Sequence, residues 1–105
     1  MREILDEVEH WQLQGKRVAM ATVVATRRSA PRPPGAKMAI AESGEVAGAV
    51  SGGCVEGAVA SAGYEVLRSG RPRLLKFGIE DDQAWDVGLP CGGEIDVFVE
   101  ELPRP

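Results

Sequence analysis

The run Arg17 to Ala25, RVAMATVVA, sets the strongest constraint on what this chain can fold into. It is β-rich, apolar on both alternations and bounded by polar residues, the pattern of a strand buried on two faces. Such a strand needs a sheet around it and helices over it, and the flanking sequence offers both. Residues Arg2 to Gln14 read as an amphipathic helix: Ile4, Leu5, Val8 and Trp11 fall on one stripe, and Glu3, Asp6, Glu7 and Glu9 favour the positive helix start. Gly15 ends it. A second helix runs from Val55 to Ser69, with Val55, Ala58, Val59, Ala62 and Val66 at helical spacing and Gly70 and Pro72 stopping it. Ala36 to Ala41 and Glu45 to Val50 read as short strands around a Glu42-Ser43-Gly44 turn. Arg73 to Phe77 and the alternation Ile95, Val97, Val99 supply two more. The expected fold is a single α/β domain, a mixed β-sheet of about five strands with two main helices packed on it.

At 105 residues there is room for one core, and 44% hydrophobic with 27% charged residues excludes disorder, a collagen repeat and a coiled coil. A formal charge of -4 and only 5% aromatics give no basis for a nucleic-acid or anionic-membrane partner. No stretch reaches the length of a membrane span, and the amino terminus is acidic where a signal peptide would be basic, so the expected compartment is the cytoplasm. Cys54 and Cys91 are too distant for a CxxC clip, and His10, the single histidine, faces the polar side of its helix. In a reducing compartment the two cysteines read as thiols.

Three loops carry the unusual residues. In the first, Thr26 to Gly35, three prolines stiffen the chain, and Arg32 between prolines is placed to clamp a phosphate or carboxylate. The second, Ser51-Gly52-Gly53-Cys54, leads from a strand into a helix. Glycines allow close backbone approach there, and a helix start favours both an anion and a thiolate. The alternative is a tight structural turn with Cys54 as a small buried side chain. In the third, Cys91-Gly92-Gly93 repeats the glycine–cysteine pairing, and Trp85-Asp86 precedes it: either the indole packs over the site while the Asp86 carboxylate fixes the loop by accepting hydrogen bonds from backbone amides, or Trp85 is a core side chain and Asp86 a capping residue. Two such loops suggest one shared site that could ligate a soft metal, form a redox disulfide or hold a sulfur-containing ligand. GxGxxG, Walker, HExxH and Ser/His/Asp patterns are missing from the sequence.

Three motifs, Ser29-Ala-Pro-Arg-Pro-Pro-Gly-Ala-Lys37, Gly48-Ala-Val-Ser-Gly-Gly-Cys-Val-Glu56 and Asp81-Asp-Gln-Ala-Trp-Asp-Val-Gly-Leu-Pro-Cys-Gly-Gly93, together resemble the amino-terminal domain of the XdhC/CoxI family, over nearly the whole chain. The resemblance implies a cytoplasmic accessory protein, not an enzyme, that binds molybdenum cofactor (molybdopterin) as cargo. It would assist the cofactor's maturation and its insertion into a molybdenum hydroxylase apoenzyme of the xanthine dehydrogenase or carbon monoxide dehydrogenase type. Ser51, Gly52, Gly53, Cys54, Arg32, Cys91, Gly92, Gly93 and Asp86 are then the expected cofactor-binding residues. Family members usually continue into a Rossmann-like domain, so with a chain ending at Pro105 that part is expected from a separate subunit or not at all. Pairing in the family, and the limited surface that one small domain buries, imply a homodimer. The alternatives from other classes are an interaction module that docks a molybdenum enzyme or a separate Rossmann-like subunit without binding cofactor, and a thiol redox or metal-binding protein.

Overall fold

The structure, a computed structural model, describes residues 2–27, 34–50, 55–78 and 94–103. The elements in chain order are α1 (Arg2–Leu13), β1 (Val18–Arg27), β2 (Lys37–Ala41), β3 (Val46–Gly48), α2 (Glu56–Ser69), β4 (Arg73–Gly78) and β5 (Glu94–Glu101). The strands form one sheet in the order β3-β2-β1-β5-β4, so β1 lies at its centre. The expected domain of five strands and two helices is present, with one difference in strand direction. All four pairings are antiparallel, where a mixed sheet was expected. The cause is topological: neither helix connects two neighbouring strands of the sheet, so no parallel crossover arises.

The apolar alternation of β1 serves two separate cores. Ala19, Ala21 and Val23 join Met38, Ile40, Ile95, Val97 and Val99 beneath α2, which buries Val59, Ala62, Val66 and Leu67. Val18 and Met20 face the other way, with Ala39 and Ala41, against Val8 and Trp11 of α1. Each helix therefore covers one face. Helix α2 comes close to the sheet because Gly63 lies over Ile40, where an added Cβ would meet Ile40 carbons at 3.1–3.3 Å. On α1 the stripe is narrower than its sequence suggests: Val8 and Trp11 are buried, but Leu5 is 53% exposed. Strand β1 also runs two residues past the expected end at Ala25, because Thr26 and Arg27 pair with Ile95 and Glu94 after an irregularity between Val23 and Ala25.

The turns at one end of the sheet are short and pinned. Gly15, Gly44 and Gly70 adopt φ of 81°, 102° and 74°, the left-handed region open to glycine. Gly70 closes α2 by donating its N–H to the Val66 carbonyl at 2.8 Å. Arg17 donates to both Glu101 oxygens, at 2.8 and 2.6 Å, and to the Leu67 carbonyl at 2.5 Å, tying β1, β5 and α2 together. The Glu101 hydrogen bond holds the guanidinium further above its ordinary range. Glu45 accepts from Lys16 Nζ at 2.7 Å and from Ser43 Oγ at 2.5 Å. These two bonds, the Lys16 one first, hold its carboxyl below the usual carboxylate range. Among the described residues no helix is long and apolar enough to cross a membrane.

Candidate functional site

The opposite end of the sheet gathers the stems of all three unusual loops. Strands β1 and β4 end there, β2 and β5 begin there, and β3 leads there before α2 starts. Arg27, Glu94 and Gly78 form one row across β1, β5 and β4, and Met38 and Gly48 form another across β2 and β3. The connections 28–33, 51–54 and 79–93 thus leave from one end of one sheet. They contain all nine expected site residues: Arg32; Ser51, Gly52, Gly53 and Cys54; Asp86, Cys91, Gly92 and Gly93. Those nine residues lie outside the described residues, so the geometry of the site is the geometry of its stems.

The stems form a step. Strand β2 begins opposite Thr22, so Val24 to Arg27 of β1 rise past it and, among the described residues, pair only with β5. Because of the irregularity between Val23 and Ala25 they advance three steps along β5, from Val97 to Glu94, and at about 3.3 Å each make a ledge about 10 Å high. At its foot Gly35, at φ 94°, donates to the Val23 carbonyl at 2.7 Å, and Lys37 Nζ donates to Thr22 Oγ1 at 3.0 Å.

Several motif residues beside the loops have structural tasks that the motifs alone did not reveal. Gly48 sits at φ 82°, and a Cβ there would lie 2.5 Å from the Lys37 carbonyl oxygen and 2.6 Å from Ile4 Cδ1. Val50 and Val55, at the two ends of the Ser51–Cys54 connection, are both buried in the α2 core. Glu56 accepts the Val50 N–H on Oε2 at 3.0 Å, bracing the connection from the helix side. The usable signal was a glutamate at the first helical position, six residues after an apolar strand end.

Glu56 also changes the electrostatics expected for the helix start. Helix α2 begins at Glu56 with Val55 as its N-cap and no side-chain cap, so Cys54 precedes the N-cap in sequence. A carboxylate in the first turn offsets the positive end of the helix that an incoming anion would use. The described cations toward this end are Lys37, half-buried at the start of β2, and Lys76, exposed near the end of β4. Among the described residues no group of three or more His, Cys, Asp or Glu side chains could hold a metal ion.

The model of the XdhC and CoxI family matches residues 11–78, from the end of α1 through β4. The chain belongs to this family. Its sequence is 42% identical over 90 residues to the molybdenum cofactor insertion chaperone PaoD of Escherichia coli, covering 86% of this chain and 28% of that protein. It is 34% identical to a protein of Bacillus subtilis named as a probable xanthine dehydrogenase component, covering 81% of this chain and 26% of the other. The uncharacterized protein YqeB of Escherichia coli is 33% identical over 91% of this chain and 18% of its own length. A crystal structure described as a xanthine dehydrogenase from Bacillus halodurans superposes with a TM-score of 0.75 at 30% identity, over 93% of this chain and 30% of that one. This family member thus spans less than a third of each of these proteins, and over that span it shares the fold of the solved structure.

Proposed function

We propose that this XdhC and CoxI family domain is a non-catalytic accessory module that holds molybdenum cofactor as cargo. It passes the cofactor to a molybdenum hydroxylase apoenzyme of the xanthine dehydrogenase type. The observation that carries this reading is the 42% identity, over 86% of the chain, to a protein named as a molybdenum cofactor insertion chaperone. The convergence of the three loop stems on one end of the sheet supports a single site built from Arg32, Ser51 to Cys54, Asp86 and Cys91 to Gly93. Thiols at Cys54 and Cys91 suit a ligand whose chemistry is molybdenum and sulfur. The cofactor's phosphate would be met from the Arg32 and Lys37 side of the ledge, because Glu56 occupies the first turn of α2.

The same reading places the chain in the cytoplasm as a homodimer. The direct test is gel filtration of the purified chain mixed with molybdenum cofactor, with light scattering on the eluting peak. Cofactor co-eluting with a dimer is the expected result. A chain that elutes without cofactor would overturn the cargo reading and leave a docking module; a cofactor-loaded monomer would overturn the dimer alone.

A further inference from the structure

Strand β4 closes the sheet on the side opposite β3: β5 pairs with one of its edges and, among the described residues, nothing pairs with the other. Beside that edge runs a groove of about 410 Å³ between strand and helix. Its helix wall is Ala58, Ser61 and Ala62, side chains too short to close over the strand, and its strand wall is Leu75 and Phe77. On the opposite face of β4, Leu74 is 52% exposed. Unpaired backbone donors and acceptors next to an apolar groove are what an added strand requires, since alternate side chains of the incoming strand can enter the groove.

The charge along this edge narrows the choice of occupant. Arg71, Arg73 and Lys76 are all exposed, and none has an ion-pair partner among the described residues. The carboxylate in the groove wall, Glu65, is already engaged by Arg68. A cationic edge on a chain of net charge -4 complements an acidic strand. A second copy of β4 would instead bring the Arg73 and Lys76 of both chains to one seam.

We propose that the β4 edge docks an extended segment of a partner polypeptide in which apolar and acidic residues alternate, added as a further strand beside the α2 groove. The probe is a fluorescent eight-residue synthetic peptide alternating glutamate and valine, with a lysine-for-glutamate peptide as control. Both are titrated by anisotropy against the full chain, with hydrogen exchange of the β4 amides followed in parallel. The acidic peptide should bind saturably and slow exchange at alternate β4 amides, while the lysine peptide should not bind. Arg73→Glu combined with Lys76→Glu should weaken binding about tenfold or more. Ser61→Phe, which fills the groove without changing charge, should also weaken it, and both variants should keep the parent melt. The proposal is overturned if neither peptide binds, as an edge merely guarded by its cations would behave, or if both bind equally. It is also overturned if every β4 amide is already protected in the free chain, whether within one chain or by a dimer across this edge.

Discussion

At one end of the sheet α1 turns into β1 at Gly15, β2 into β3 at residues 42–45, and α2 into β4 at Gly70, with Arg17 and Glu45 stitching the turns together. At the other end, residues 28–33, 51–54 and 79–93 connect the same elements and hold the Arg-Pro, Gly-Gly-Cys and Cys-Gly-Gly groups. The pinned end shows what this fold asks of a turn: a left-handed glycine, a carboxylate acceptor, a short span. Stem residues at the loop end meet the same demands, since Gly48 and Glu56 have contacts that account for them. The two pairings of cysteine with two glycines lie outside the described residues, and the proposed function is assigned to them.

Substitutions at the two ends can break or sharpen this contrast. The largest effect is expected at Gly48→Ala, where a left-handed conformation and a backbone oxygen 2.5 Å from the new Cβ act together, costing about 2–4 kcal/mol in chemical denaturation. Glu56→Ala should follow, at about 1–3 kcal/mol, because the buried stem loses the acceptor for the Val50 N–H. Glu56→Gln, which retains an acceptor oxygen, should lose less. At the pinned end, Gly70→Ala meets nothing within 4 Å, so only the conformational cost of about 1–2 kcal/mol applies. If Gly70→Ala proved as costly as Gly48→Ala, the packing argument for the loop-end stem would fail.

The smallest effect is a pH dependence at the pinned end. The carboxyl of Glu45 is held below its ordinary range by Lys16 and Ser43, so its contribution is present above the unfolded-state value. It is lost as pH falls through the lower folded-state value. Thermal melts between pH 6 and pH 3 should fall slightly less steeply for Glu45→Gln than for the parent chain. Parallel curves would remove Glu45 from the stitching of that end.

Much of the fold was legible because periodicity reports burial directly. The double alternation of Arg17 to Ala25 announced a strand with a core on each side, and Gly70 with Pro72 marked the end of α2 within a residue. Strand direction was not legible, since it depends on which strands become neighbours and local pattern carries no such information. Leu5 stays exposed because a stripe drawn on a helix assumes a wide contact, whereas among the described residues the buried side chains of α1 are Val8 and Trp11, packed with β1 and β2. For the candidate site, the motifs marked three loops, and the topology brings their stems to one end of the sheet. The roles of Gly48 and Glu56 within those motifs were not legible, because a close approach and a reach across six residues leave no periodic trace.

The central claim is that Cys54 serves the cargo and not the core, and Cys54→Ser tests it most directly. The replacement nearly conserves volume, so the account predicts a melt within a degree or two of the parent chain and a marked loss of molybdenum cofactor retained through gel filtration. Unchanged retention together with a melt lowered by several degrees would contradict it and make Cys54 a packing residue.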